Sequence, residues 1–559
     1  MSGWWRGMIG GVATISIGVG ADRAMGGNDE RALVRLHQAI RPLGTVVSFM
    51  NTGAHPDDEQ SALLAYLSRG LGARVVSVIA NRGEGGQNQV GDEYDQALGV
   101  VRTRELEEAS RVTGVHLRLL SEELDDPIYD FGFSKTPEET LARWGAEIPL
   151  ERLVRLIREE RPDVVMPSFR DEYGQHGHHR AITRLTLEAV RHAADPEAFP
   201  EQLSAGLLPW QVRKVYVPAN PGGGGGNVYL ATETGEVDVT VNTGEFDPVL
   251  GVSYVQLGEE SRAFHRSQGM GRVVEPGPRL LHAERVLSTV PVAGPERSLF
   301  DGLPSTVGEL VHTVPDGHEG LRSHLRSIQA GLEAIDGAFP DRETILLKVH
   351  DTLGKVRQVL EALDGAGAGG PWAEDLAFRL RVKEEQLQAV SAAATLVIGQ
   401  IDLEDWEVVQ GQEVTLTVRA FNGGQIPLED VSLRLEAPQG WLVEPISDGP
   451  ATALGYNETV GRSRSKTSAC DWRRRKGGSW SPSRTGRRRP SGTTKRQSAP
   501  FGFGSPRKRP TSTLTIPRCC AAWWDTGCMG NAPRWRSRRP GSWPSCRTCP
   551  CGRSRPPRS

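Results

Sequence analysis

The chain has 559 residues, with 66 Lys and Arg against 69 Asp and Glu and a formal net charge of −3. That near balance conceals two parts: 25 of the basic residues but only two acids, Asp471 and Asp525, lie after residue 460, so residues 1–460 hold 41 basic against 67 acidic side chains. A body so acidic has no electrostatic attraction for nucleic acid, and its length allows several domains with at least one large core.

At the N-terminus Arg6 precedes an apolar, small-residue run over 8–20, and Val19-Gly20-Ala21 offers a cleavage site. Residues 1–21 are therefore expected to be a signal peptide and the protein to be exported, a cytoplasmic protein being the alternative. The run is short and glycine-rich for a transmembrane span, and no other segment approaches that length. From about residue 40 to 218 apolar, β-branched runs at 46–49, 75–79, 115–120, 164–166 and 212–217 alternate with helical patterns at 59–71, 95–112, 137–160 and 178–194. This alternation predicts an α/β domain over 40–300, with a Rossmann-like, mostly parallel sheet and helices on both faces. Ligands in such folds sit at the carboxyl ends of the strands. A glycine-rich break at 221–227 reads as a surface loop, and alternating residues at Val237, Val239 and Val241 with a helical pattern at 254–268 complete the domain.

Residues 321–398 show helical periodicity without strands, a hairpin or small bundle. From 399 to 456 the alternation is that of a β-sandwich that stops before enough strands are present. Residues 461–559 contain no Val, Glu or His, hold all seven cysteines, and show neither helical nor strand periodicity. A basic nucleic-acid tail and a metal module through Cys546, Cys549 and Cys551 are two readings of this segment. The mixture of Arg, Ser, Pro, Gly, Trp and Cys is better matched by a GC-rich reading frame translated out of phase, and no stable fold is expected there.

Two clusters carry chemistry. Ala54-His55-Pro56-Asp57-Asp58-Glu59 follows the first predicted strand. A His with an Asp three positions on can hold one divalent metal, which frees the intervening Asp to act on water. The alternative is a polar helix N-terminus, where Asp is common. The second cluster, Gly174-Gln175-His176-Gly177-His178-His179, lies between the 164–166 strand and a helix. Three histidines in four residues are hard to place in a core, because imidazole needs polar partners. They can supply the third ligand of an open metal site, the alternative being a surface cluster without function. The first 469 residues have no cysteine, so such a site uses nitrogen and oxygen donors.

At these motifs the chain resembles the LmbE-like/PIG-L family of zinc-dependent N-acetylglucosaminyl deacetylases. Arg82-Gly83-Glu84-Gly85-Gly86-Gln87-Asn88, Asp130-Phe131-Gly132-Phe133-Ser134-Lys135 and His265-Arg266-Ser267-Gln268 look like a large, often exported bacterial subgroup with C-terminal β-domains. The resemblance implies His55, Asp58 and His179 as zinc ligands, Asp57 as general base and His176 as oxyanion stabiliser, with Arg102 near the sugar and Asp130 on a hydroxyl. The roles of His178 and His265 stay open. Zinc is the family's metal, although two His and one Asp accept several divalent ions. The activity implied is removal of acetyl from an N-acetylated amino sugar or glycoconjugate. Deacylation of another N-acyl compound and noncatalytic carbohydrate binding are the alternatives.

Overall fold

The structure is a computed structural model that describes residues 14–18, 32–219, 237–292, 294–366, 370–403, 412–436, 441–445, 451–455 and 458–469. All of them belong to one unit, Met1–Gly477. Most of the expected leader lies outside the described residues. Its described part is strand β1, Thr14–Gly18, which pairs in parallel with a later strand. The glycine-rich break at 221–227 also lies outside them.

Helix α1 (Ala32–Ile40) leads into β2 (Ser48–Gly53), α2 (Ser61–Ala65), β3 (Arg74–Ile79), α3 (Gln96–Thr113) and β4 (His116–Leu119). Next come α4 (Pro137–Trp144), α5 (Glu147–Glu160), β5 (Val164–Pro167), α6 (Gly177–Ala194), α7 (Pro200–Ser204) and β6 (Lys214–Pro218). The pattern expected to be one helix over 137–160 is broken at Gly145, whose φ of +74° no other residue type adopts readily. The sheet order is β4-β3-β2-β5-β6, all parallel, extended by two strands that run antiparallel to each other, β10 (Leu280–Ser288) and β7 (Val239–Asn242). The chain winds outward from β2 through β4, then returns to place β5 on the other side of β2. That makes the gap between the carboxyl ends of β2 and β5 the topological switch point, where open α/β sheets bind ligands.

The strands read as continuous apolar runs because both faces are covered. Phe49, Val75, Val164 and Met166 share a core with Leu63 and Leu64 of α2 and with Leu67 just beyond it. Met50, Val76, Val78 and Val165 face α5 and α6, packing on Leu153, Ile157, Ile182 and Leu185.

Short strands β8 (Phe246–Asp247) and β9 (Val252–Ser253) precede α8 (Tyr254–Arg262), which ends earlier than the pattern predicts and is followed by a single 3-10 turn, Arg266–Gln268. The helical segment is a bundle of α9 (Glu319–Asp336), α10 (Arg342–Ala366) and α11 (Gly370–Thr395). Helix α1, for which the chain-order reading has no element, completes it by adding Leu36 and Ile40 to the core of Leu325, Ile328, Leu332, Val349, Leu380 and Leu387. A buried ion pair joins bundle to sheet: the Arg379 guanidinium donates to Asp163 at 2.7 and 3.0 Å, and Asp163 also accepts from the Ser48 N–H at 2.9 Å. Both side chains are nearly excluded from water. Arg379→Met leaves Asp163 buried without its cation and is expected to cost about 3–5 kcal/mol. Denaturant unfolding of the variant beside the parent checks this.

The β-domain has β11 (Val397–Leu403), β12 (Glu413–Asn422), β13 (Leu428–Glu436), β14 (Trp441–Pro445), β15 (Ala451–Leu454) and β16 (Glu458–Ala469), in sheets ordered β11-β12-β16-β14 and β1-β13-β15. Residues 461–469, expected to lack a fold, instead form most of β16 between β12 and β14. Strand pairing is a backbone interaction, and Ser463, Ser465 and Thr467 alternating with Arg462, Arg464 and Lys466 suit a period of two. Residues 470–559, with all seven cysteines, lie outside the described residues. No helix among the described residues is long and apolar enough to cross a membrane.

Candidate metal centre and catalytic site

Both predicted clusters leave the sheet at the switch point. After β2 the chain makes a tight turn in which the Asp58 carboxylate folds back: its Oδ2 accepts from the N–H groups of Ala54 and His55, both at 2.8 Å. Helix α2 begins only at Ser61 and has no side-chain cap. The acidic residues of the turn are therefore not helix-capping groups.

After β5 the chain reaches His176, the N-cap of α6, so that Gly177, His178 and His179 form the helix's first turn. Gly177 donates its N–H to the Ser134 carbonyl at 2.8 Å. A Cβ there would lie 2.2 Å from Ser134 Oγ and 2.6 Å from the Thr136 carbonyl, which explains a glycine between two histidines. Phe169 stacks on the His179 ring at a centroid distance of 3.8 Å, and Trp144 stacks on His178 at 5.1 Å.

His55 Nδ1 lies 3.3 Å from Asp58 Oδ2, His179 Nε2 lies 3.3 Å from Asp58 Oδ1, and the two ring nitrogens are 3.3 Å apart. Neighbouring ligands about 2.0–2.1 Å from one tetrahedral ion are separated by about 3.3–3.4 Å. The two ring nitrogens therefore stand at the separation of two ligands on one divalent ion, and Asp58 sets one carboxylate oxygen against each of them. His176 also brings a ring nitrogen within 4.8 Å of those of His55 and His179, and His55, Asp130 and His178 form a second group of the same span. The other nitrogen of His55, Nε2, lies 2.8 Å from His178 Nδ1. If Nε2 carries the proton, Nδ1 is free to face the triad, the arrangement usual for a metal-ligating histidine.

The electrostatics favour positive charge at this point. Burial opposes ionisation of Asp58, but the charges of His179 and His55 and their hydrogen bonds outweigh it and hold the carboxyl well below the usual range. Burial likewise opposes a charged His55, yet Asp58, then Asp130 and Asp57, raise it to about 9. His176 is pushed down to about 4 by burial and by the charges of His55 and His179, so it is neutral at neutral pH. His178 falls to about 2 for the same reasons, with burial foremost.

Asp57 belongs to neither ligand group. Burial, reinforced by the adjacent Asp58 charge, raises its carboxyl to about 7, within the range useful to a general base at neutral pH. Its backbone has φ +98°. The neighbouring Glu59 accepts the Asp57 N–H at 2.8 Å and is itself raised to about 8, chiefly by burial.

Arg102 is buried, and its Nη2 donates to the Gln87 carbonyl at 2.7 Å. The glycines of the 82–88 run make room for it: a Cβ at Gly83 or Gly86 would lie 2.5 Å from its guanidinium. Glu105, three positions further along the same helix, accepts from the Ser267 N–H and hydroxyl at 2.7 and 2.6 Å. Asp130 is buried beside the site, 3.7 Å from His178 Nδ1, and its N–H donates to Glu84 at 3.1 Å. His265 is buried 3.7 Å from Glu59, and neither ring nitrogen has a hydrogen-bond partner among the described residues. Two contacts escape any reading of motifs: Arg262 Nη1 donates to the Asp57 carbonyl and Gln268 Nε2 to the Pro56 carbonyl, each at 2.8 Å. They join positions more than 200 residues apart, and no sequence signal pairs them.

Residues 50–190 match the family described as PIG-L, GlcNAc-PI de-N-acetylase, and residues 408–462 match the NPCBM-associated NEW3 domain of alpha-galactosidase. Over 183 residues the chain is 32% identical to a 1D-myo-inositol 2-acetamido-2-deoxy-alpha-D-glucopyranoside deacetylase of Thermobifida fusca, covering 30% of this chain and 60% of that protein. A relative in Frankia alni with the same description, numbered 1, is 36% identical over the same length and coverage. The chain thus spans about 60% of the length of these curated relatives. Among solved structures, N,N'-diacetylchitobiose deacetylase from Pyrococcus horikoshii is 21% identical, with a TM-score of 0.29 over 40% of this chain and 70% of that one. The switch-point site therefore lies within the stretch that matches the PIG-L (LmbE-like) family, and the match to the NEW3 domain follows it in the same chain.

Proposed function

We propose that the protein is a metal-dependent N-deacetylase, which hydrolyses the acetamide of an N-acetylated amino sugar or glycoconjugate to acetate and a free amine. The observation that carries this reading is the 3.3 Å spacing of His55, Asp58 and His179 beside the carboxyl of Asp57, which those three leave free. The curated relatives, named as deacetylases of an N-acetylated glucosaminyl inositol, support the substrate class.

His55, Asp58 and His179 would hold a divalent cation, zinc being the family's choice. When bound, such an ion supplies Lewis acidity toward water and the acetamide carbonyl. Asp57 takes a proton from the attacking water and returns it to the departing nitrogen, so one carboxyl serves as base and then as acid. The neutral His176 borders the same space. Its Nε2 accepts the Ser134 N–H at 3.1 Å and so carries no proton in that contact; stabilising the carbonyl oxygen requires that nitrogen to release Ser134 and to carry a proton that it can donate to the substrate. His178 keeps His55 oriented through the 2.8 Å contact. Arg102 and Asp130 are assigned to the sugar. Export is part of the reading and rests on the leader-like run at 8–20.

Metal analysis of the purified chain, with acetate release measured over a panel of N-acetyl sugars, tests the proposal. One divalent ion per chain is expected, with acetate from at least one sugar and loss of that activity on chelation. A metal-loaded chain that releases acyl groups only from other N-acyl compounds would replace the sugar by that class. A chain that binds sugars without metal or turnover would be a binding protein.

A further inference from the structure

The turn that carries Asp57 is held in place by side chains lying outside residues 50–190. At φ +98° Asp57 occupies a backbone region that residues with a Cβ avoid and keep only when their surroundings impose it. Each peptide unit is a rigid plane, so the conformation of Asp57 is set by how the planes on its two sides are held. The plane before it is gripped at both edges: Gln268 Nε2 donates to the Pro56 carbonyl and the Asp57 N–H donates to Glu59, both at 2.8 Å. The plane after it is gripped likewise. Arg262 Nη1 donates to the Asp57 carbonyl at 2.8 Å, and the Asp58 N–H donates to the His55 carbonyl at 3.2 Å.

We propose that Arg262 and Gln268 are positioning residues that hold Asp57 in its strained conformation and thereby aim its carboxyl at the reacting water. Both side chains are buried, so water does not compete for the two carbonyls. Their own placement is firm. Helix α8 starts in a capping box between Ser253 and Gln256, and Ser261 Oγ donates to the Ala109 carbonyl at 2.8 Å. The turn after the helix is pinned to α3, because Glu105 accepts both the N–H and the hydroxyl of Ser267. The run His265-Arg266-Ser267-Gln268 thus acts through its first and last two residues in different ways: Ser267 anchors, Gln268 grips, and His265 fills the space against Glu59. The proposal rests on the reading of Asp57 as the proton acceptor.

The test measures kcat, KM and bound metal for Gln268→Met and Arg262→Met with the N-acetyl sugar that releases acetate in the panel. It repeats Gln268→Met in an Asp57→Ala background. Freeing a strained turn displaces a carboxyl by about an ångström, which is expected to lower kcat about 10- to 100-fold while KM and metal content stay at the parent values. Arg262→Lys, which keeps a donor, should lose less than Arg262→Met. In the Asp57→Ala background Gln268→Met should cost nothing further, since residues acting as one unit are not additive. The same fold-loss in both backgrounds, a loss carried by KM or metal content, or parental kcat in folded Gln268→Met would overturn the clamp. Normal turnover in Asp57→Ala alone would instead overturn the role of Asp57.

Discussion

Asp57→Ala is expected to bind metal like the parent and to lose about 10²- to 10⁴-fold in kcat. The two halves of this result come from different features of one turn. Metal retention follows because His55, Asp58 and His179 are mutually spaced without any contribution from Asp57. Asp58, not Asp57, takes the backbone hydrogen bonds that shape the turn. The loss of turnover follows because no other described carboxyl beside the triad is equally free. Glu59 is engaged with the Asp57 N–H, and Asp130 accepts the Gly132 N–H at 2.9 Å. The pH profile carries the same information. A general base acts when unprotonated, so activity rises as pH increases through the pKa of Asp57, which burial and Asp58 hold near 7 in the metal-free chain. A cation at the triad lowers that value, which places the acid limb below 7 in the loaded enzyme. Steady-state kinetics with parallel metal analysis decide it. Near-parental kcat in Asp57→Ala removes this residue from the chemistry.

The second large effect is expected at the triad. His179→Ala should lower metal affinity by at least about 100-fold, more than the loss typical of an outer-shell partner, and acetate release should fall with it. His179 supplies one of the two ring nitrogens and is held in place by the Phe169 ring stacked on it. With it gone, two donors remain from one short turn, too few for the three protein ligands of an open catalytic site. Competition with a chromogenic chelator measures the affinity, and restoring zinc to the chelated parent should recover activity. One tightly bound ion in His179→Ala would show that the metal sits elsewhere, with the His55, Asp130 and His178 group next to be tested.

The parts of this site legible in the sequence share one property: each is local. A strand's apolar run followed by His55-Pro56-Asp57-Asp58 places two donors and a free carboxyl within one turn, and the His176–His179 segment stands in the same relation to β5. Alternation of strands and helices further predicts that both runs emerge at carboxyl ends of parallel strands. It does not say that β2 and β5 are neighbours, which requires the return of the chain across the sheet. The partners of Arg102 and Glu105 are not legible either, because each finds its partner in a loop brought in by the fold. Composition misleads at 461–469, where backbone pairing with β12 and β14 overrides an unpromising mixture of side chains.

By itself, the sequence determined the donor types, their order along the chain and the alternation that makes an open α/β sheet, because these depend on residue identity and short-range periodicity. Only the tertiary structure decided that His55, Asp58 and His179 converge to 3.3 Å, that His178 faces His55, and that Arg262 and Gln268 grip the turn. The physical reason is range. Metal spacing, a second-nitrogen contact and the support of a strained peptide arise between segments separated by 123 to 212 positions, where no local pattern constrains which groups meet.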